Sequence, residues 1–458
     1  MMEQIKVGLV SLGCPKALVD SEVMAGVLKT HGISLCREAQ EADVIVINTC
    51  GFLQASTQES MDTIGVMKRL KKEGKCRGLV VAGCLVERYP ERIMKEHPEV
   101  DAILGTSHFE EVAMAVEKVL KGERYRALSR QKNLLSHRSP IDRLTPKHFA
   151  YVKIAEGCDH PCRFCVIPRI KGRHQSRSIE DIEMEVQTLA HRGTKEIVLV
   201  AQDSTDYGRD IYQEQRLPQL LRRLCKIEGI EWIRILYAYP SYVSKELVSV
   251  MALEPKICKY LDIPLQHADD EMLKAMARMG SQKEYRDLIR LMRKEIDGLA
   301  LRTTFIVGFP GETEERFQNL LDFMKEIRFE RLGVFEFSRE PGTYADKLED
   351  QVPQELKETR KDRAMKLQQE ISKGFTKEWV GKSLSVLCDQ RGQDPRFMEA
   401  RAYFDTPEID GAVFVYDDQK ILQPGDQCSV KVIEALEYDL VGEMNNNGNS
   451  KIKYQKSK

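Results

Sequence analysis

The sequence predicts an α/β multidomain protein: an N-terminal parallel α/β sheet domain, a partial βα (TIM-like) barrel, and a small C-terminal antiparallel β-barrel. Three observations lead there. Apolar runs alternate with helical stretches twice, first across residues 1–122 and again across 149–376. Those runs are continuously apolar, as strands covered on both faces of a parallel sheet must be. After Trp379 the texture changes to short β-rich runs, with turn signals at Thr406-Pro407, Asp410-Gly411 and Pro424-Gly425, which suits a small barrel or sandwich.

In the first section KVGLVSLG, DVIVINT, RGLVVAG and DAILG predict four strands, and HFEEVAMAVEKVL predicts the last helix. Residues 123–148 read as a linker; with Lys121 included, this stretch holds eight basic residues against two acidic ones, net +6. The second section offers six strands: AYVKIAEG, KEIVLVAQD, WIRILYAY, KYLDIPLQ, ALRTTFIVGFP and RLGVFEFS. Six suits a partial barrel better than a closed eight-stranded one. A charged helix from about Pro353 to Phe375 closes it. Residues 377–444 form the small barrel, and the polar stretch 445–458 reads as a disordered tail.

Composition narrows the function classes. The 458 residues are 42% hydrophobic and 31% charged, with net charge -1, so no global field draws the protein to nucleic acid or membrane. No window approaches 18 uninterrupted apolar residues, and the N-terminus lacks the pattern of a secretory signal. Twelve cysteines in such a chain read as reduced thiols, metal ligands or catalysts rather than disulfides. The expectation is a cytoplasmic protein with no membrane partner.

The densest chemistry lies in GCDHPCRFCVIPRIKGRHQSR, where Cys158, Cys162 and Cys165 follow the first barrel strand. Active sites of βα barrels sit at the carboxyl ends of strands. Three thiolates on a 4Fe-4S cube leave one iron open to an exogenous molecule. Zinc could instead take the three cysteines with His160 or His174 as fourth ligand. A second trio is dispersed: Cys14, Cys50 and Cys84 each follow an apolar strand by one to three residues. Neighbouring parallel strands lie about 4.8 Å apart, and such sheets bind ligands beyond their carboxyl ends, so these three could share one small cluster. Cys36, Cys76, Cys225, Cys258, Cys388 and Cys428 lack this grouping and read as buried or indifferent thiols.

The CxxxCxxC spacing resembles the signature of the radical S-adenosylmethionine superfamily. SLGCPKALVDSE, NTCGF, AGCLVERY and EGCDHPCRFCVIPRIKGRHQSR together are similar to its methylthiotransferase family. That resemblance extends to about Asn445 and implies a cluster domain, a radical S-adenosylmethionine barrel and a TRAM barrel. It also implies two 4Fe-4S clusters, one on Cys158, Cys162 and Cys165 and one on Cys14, Cys50 and Cys84. S-adenosylmethionine would supply both a methyl group and, on reductive cleavage, a 5′-deoxyadenosyl radical. An electron donor and a sulfur donor are implied as partners.

Within the family, Pro15-Lys16, Asp159-His160-Pro161, Gln266-His267 and FEFSREPGTYA resemble the RimO branch, which modifies an aspartate β-carbon in ribosomal protein S-twelve of the small ribosomal subunit. The branch acting on an adenosine of transfer RNA is the runner-up. A zinc-stabilised ribosome-binding adaptor is the alternative of another class. Residues 379–444 carry six basic and thirteen acidic side chains, net -7. That charge would repel RNA and attract a basic protein, with Asp405, Glu408 and Asp410 among the acids expected to take part. Gln202, Asp203, Gln266 and His267 end the second and fourth barrel strands and are the candidate contacts to S-adenosylmethionine. Gly308 to Glu312 turn at the end of the fifth. Arg163, Arg169, Lys171, Arg173 and Arg177 are expected to crowd the CxxxCxxC cysteines. No catalytic acid or base is legible.

Overall fold

The first sheet is built from β1 (Lys6–Ser11), β2 (Ser34–Cys36), β3 (Val44–Thr49), β4 (Gly78–Gly83), β5 (Ala102–Leu104) and β6 (Tyr125–Ala127). The computed structural model describes residues 4–128 and 134–445. The order is β2-β1-β3-β4-β5-β6, and every pairing is parallel. All six residues of β3 are buried, as the unbroken apolar run requires. Four of these strands match the predicted runs. The other two are three residues long, and β6 lies within the stretch read as linker.

The rest of that linker is also structured where it is described. Pro140 packs so closely on Gly26 that a Cβ there would meet the Pro140 carbonyl oxygen at 2.3 Å. The Asp142 amide donates to the Glu22 carbonyl at 3.0 Å, and the Glu22 carboxylate accepts from the Leu144 and Thr145 amides. The segment therefore straps the helix Pro15–Thr30 onto the barrel whose first strand begins at Phe149. That helix is buried at every position from Val19 to Leu28, because the first sheet lies on one side and the barrel on the other. One apolar cluster contains both its Val23 and Met24 and the barrel's Phe149 and Tyr151.

The barrel sheet uses β7 (Phe149–Lys153), β10 (Glu196–Val200), β11 (Trp232–Ile235), β12 (Ile257–Asp262), β13 (Ala300–Val307) and β14 (Arg331–Glu336). Its order is β14-β13-β12-β11-β10-β7, parallel throughout and open, as six strands predict. Between β7 and β10 a short antiparallel ribbon pairs β8 (Ala155–Glu156) with β9 (Gln175–Ser176). It closes the loop that carries CxxxCxxC. Gly157 begins that loop at φ +81°, where a Cβ would stand 2.0 Å from the Arg173 carbonyl oxygen; only glycine fits. The charged helix runs Gln354–Lys377.

The last unit is a closed barrel in the order β15-β16-β17-β19-β18, from β15 (Ser383–Arg391), β16 (Phe397–Ala402), β17 (Val413–Tyr416), β18 (Gln427–Ala435) and β19 (Leu440–Met444). It is not wholly antiparallel, because β17 and β19 run parallel. The reason is parity: strand directions cannot alternate around a closed ring of five. The tail expected at 445–458 lies outside the described residues beyond Asn445, as do Arg130 and Lys132 of the linker.

Candidate functional site

Both cysteine trios stand at carboxyl ends of their sheets. β1, β3 and β4 are neighbours, with Ser11 opposite Asn48 and Thr49 opposite Gly83. Cys50 and Cys84 therefore follow a directly paired residue couple, and Cys14 comes three residues beyond Ser11. The Cβ and Sγ of Cys50 lie 3.1 and 3.5 Å from where a Gly13 Cβ would be, so the glycine at φ +99° leaves room for the cysteines to approach. Asn48 fixes the turn beneath them, its side-chain amide donating to the Ala17 carbonyl and the Ser21 hydroxyl, both at 2.8 Å.

The second trio lies in the loop after β8. The Cys158 amide donates to the Gly172 carbonyl at 3.1 Å, and the Cys165 amide to the Cys162 carbonyl at 3.1 Å. The Ile167 amide points at Cys165 Sγ from 3.4 Å. Burial pushes the thiols of Cys84, Cys158 and Cys165 up to about 12. As free thiols these would be inert; metal coordination supplies the positive charge that deprotonates such groups. Cys14 differs. Burial would raise it, but Lys16, the Ala17 amide and Lys171 bring it below its ordinary value.

The donor sets suit iron–sulfur clusters. Among the described residues no three His, Cys, Asp or Glu side chains are drawn together tightly enough for a single metal ion. Each set supplies three thiols, the number that leaves one iron of a 4Fe-4S cube open. His160 places Nε2 2.6 Å from Asp203 and stacks on Tyr239 at 3.7 Å. His174 places Nε2 3.1 Å from the Ser176 hydroxyl.

A buried charge cluster joins the trios. Lys153 bonds Asp20 and, at 2.7 Å, Glu156. Lys171 pairs with the same two carboxylates at 3.4 Å. Burial alone would raise the Glu156 carboxyl, yet Lys153 and Lys171 hold it well below the usual range. Lys171 also lies close enough to pull down the Cys14 and Cys84 thiols, while its neighbour Gly172 bonds Cys158. Six residues after Cys165, the chain thus reaches the helix that follows Cys14.

The four predicted cofactor contacts fall into two kinds. Gln202 donates to Glu156 at 2.6 Å, and its buried Oε1 has no partner among the described residues. Gln266 sits in the left-handed region at φ +72°, pinned by backbone bonds to Thr304 and Ile306 at 2.8 and 2.7 Å. By contrast, Asp203 is buried and spent on His160 and on the Thr205 amide. His267 is fully buried: Nδ1 accepts from the Asp269 amide at 3.0 Å, so Nε2 carries the proton and donates to Glu312 at 3.1 Å. Glu312 in turn accepts from Arg360 at 2.9 Å, which explains the GFPGE turn as internal scaffolding.

The expected basic crowd disperses. Arg177 is buried against Asp181 and Glu185, Arg173 pairs with Asp159 at the surface, and Arg163 lies over the Tyr344 ring. Arg169 lies against Gly342, and Lys171 turns to Asp20 and Glu156. Arg278, which no motif marks, takes their place: Nη1 lies 3.7 Å from Cys162 Sγ, and the guanidinium rests over Tyr239 at 4.1 Å. It comes from a loop more than a hundred residues after the cysteine, so spacing could not reveal it.

The acid surplus of the C-terminal barrel is also misplaced by counting alone. Asp405 is buried against Arg331, and Asp410 meets Arg302 and the Tyr260 hydroxyl. Asp389 meets Arg401 and His148. These acids bind the small barrel to the large one. Those left exposed and outside ion pairs, among the described residues, are Glu408, Asp418, Glu434, Glu437 and Glu443.

Three family models match the chain: Uncharacterized protein family UPF0004 over residues 6–105, the Radical SAM superfamily over 152–324 and the TRAM domain over 380–444. The fold resembles that of the radical S-adenosylmethionine methyltransferase TsrM from Kitasatospora setae, solved with cobalamin and a 4Fe-4S cluster. The TM-score is 0.55 at 13% identity, over 75% of this chain and 74% of that one. In sequence, the ribosomal protein uS12 methylthiotransferase RimO of Heliobacterium modesticaldum is 47% identical over 439 residues, 96% of this chain and 95% of its own. The protein of the same name from Pelotomaculum thermopropionicum is 48% identical over 440 residues, 96% and 99% of the two chains. With that likeness running through nearly all of both sequences, the chain belongs to the RimO family of methylthiotransferases.

Proposed function

We propose that this protein is a radical S-adenosylmethionine methylthiotransferase that places a methylthio group on an aspartate β-carbon of ribosomal protein uS12. The observation that carries the reading is that one short segment ties the two trios together: Gly172 accepts from the Cys158 amide at 3.1 Å, and Lys171 pairs at 3.4 Å with Asp20 of the helix that follows Cys14. Cys158, Cys162 and Cys165 would hold one 4Fe-4S cluster, and Cys14, Cys50 and Cys84 the other. Bound there, the clusters and S-adenosylmethionine supply the radical, the sulfur and the methyl group.

The residues of the chain orient and enclose. Gln202, with its free buried Oε1, and Gln266 would meet S-adenosylmethionine. Asp203 and His267 act through others, the first by fixing His160 against Tyr239 and the second by locking the β12 end to Glu312. Arg278 offsets charge at the Cys162 ligand. An electron donor and a sulfur donor complete the reaction. No helix among the described residues is long and apolar enough to cross a membrane, and a ribosomal substrate supports a cytoplasmic site of action.

The test is mass spectrometry of uS12 incubated with the reconstituted protein, S-adenosylmethionine, a sulfide source and a reductant. A methylthio mass on one aspartate is the expected result. Modification of transfer RNA instead would replace the substrate, and stoichiometric zinc without iron would remove the mechanism.

A further inference from the structure

Three lysines and two carboxylates meet where the sheets face each other. Lys153 and Lys171 share Asp20 and Glu156. Lys16 is the third lysine, and among the described residues no carboxylate comes within ion-pairing distance of it. Its ammonium lies 3.4 Å from the centre of the Tyr237 ring, and it stands two residues from Cys14. No carboxylate among the described residues is thus spent on Lys16, whose charge acts on the Cys14 thiol.

Tyr237 is itself unusual. It sits just past β11 at φ +62°, a conformation that costs a bulky residue free energy and persists only where its surroundings impose it. They do so here. Its amide donates to Asp262 Oδ2 at 3.0 Å, Asp262 is held by Arg302 at 2.9 Å, and the Tyr237 carbonyl accepts from the Ser204 amide at 2.9 Å. A packed strand end is thus bent to set an aromatic face beneath Lys16. A cation resting on a ring keeps its charge available to an incoming anion, whereas one buried in an ion pair does not.

We propose that Lys16, presented by Tyr237, is the specificity-determining group that binds the side-chain carboxylate of the substrate aspartate. The inference rests on the uS12 function proposed for this site and deepens it. Binding there gives Lys16 the carboxylate partner it lacks and fixes the β-carbon, one bond from the carboxylate, beside the cysteine trios. It also gives the site a means of refusing asparagine, which leaves the ammonium uncompensated.

The test is a two-by-two binding comparison with the full-length, cluster-loaded protein. The partners are uS12 and uS12 with its target aspartate replaced by asparagine, and affinity is read by fluorescence anisotropy. For wild-type protein, replacing the aspartate should weaken binding about tenfold, the size of one charge-assisted hydrogen bond. Lys16→Gln should weaken binding of unaltered uS12 by the same factor, yet change binding of the asparagine form less than about twofold. Lys16→Arg should restore most of the loss. Iron content and melting temperature of each variant check that both clusters and the fold persist. Equal weakening of both uS12 forms, or a Lys16→Gln loss traced to missing iron, would overturn the inference and leave the function standing. Failure of wild-type protein to bind uS12 more tightly than an unrelated basic protein would overturn both.

Discussion

Arg331 on β14 and Asp405 beyond β16 form an ion pair between two domains, Nε to Oδ1 at 2.9 Å, with side chains 5% and 1% exposed. Phe375 and Phe404 flank the guanidinium, and Arg401 adds a parallel link through Glu196 at 2.7 Å. The small barrel is therefore fastened to the large one by desolvated charges, and its acid surplus is in part internal structure.

Removing one partner of a buried pair strands the other. Asp405→Ala should cost about 3–5 kcal/mol, seen as a lower melting temperature by calorimetry. If the two barrels unfold as one unit in the wild type, the variant should separate them into two transitions. A shift no larger than that of an exposed control, Asp418→Ala, would show that Arg331 finds water.

Attraction for a basic partner must then fall to the exposed acids. Reversing Asp418, Glu434, Glu437 and Glu443 together to lysine should lower the association rate with uS12 about tenfold and flatten its salt dependence. Stopped-flow association at several ionic strengths measures this. An unchanged rate would assign the encounter to another surface.

Iron analysis tests the two trios separately. Reconstituted protein should hold about eight irons per chain, four in each cube. Replacing Cys158, Cys162 and Cys165 by alanine should halve that and abolish 5′-deoxyadenosine formation. Replacing Cys14, Cys50 and Cys84 should also halve it while leaving some cleavage of S-adenosylmethionine and no transfer of sulfur.

Acid should loosen the junction between the trios. Glu156 is held below its ordinary value of 4.5 chiefly by Lys153 and Lys171 against the cost of burial. A lowered carboxyl contributes stability that is fully present above the unfolded value and is lost as pH falls toward the folded one. The wild type should therefore lose stability below about pH 4.5. Glu156→Gln, less stable by about 3 kcal/mol at pH 7, should lose less over the same range. Parallel curves in denaturant melts from pH 7 to pH 3 would reject this.

Arg278→Gln should leave the iron count intact and move the potential of the CxxxCxxC cluster more negative, since a positive charge 3.7 Å from Cys162 Sγ favours the reduced form. A redox titration followed by electron paramagnetic resonance reads the shift. No shift would make Arg278 a packing residue.

How much of this could be read beforehand depends on range. Strands long and apolar enough to be buried on both faces were legible, and so were the cysteines, because their positions relative to those strands are local facts. β2 and β6 were not: Ser34–Cys36 and Tyr125–Ala127 are too short to show a period, and a neighbour's edge organises them. His267 and Asp203 were visible as strand-end residues, but their commitment to Glu312 and His160 depends on side chains more than forty positions away. Counting acids gave the right net charge and the wrong surface, since composition is blind to which carboxylates find arginines.

The odd number of strands in the small barrel bears on how the protein is made. β19 lies between β17 and β18, so the ring stays open until the last of its strands emerges. Chains leave the ribosome amino terminus first, and the two large sheets can form while this one waits with bare edges on β17 and β18. Bare edges invite pairing with other chains. A protein whose proposed partner is itself ribosomal thus completes the domain with the exposed acids only after Met444 has left the ribosome.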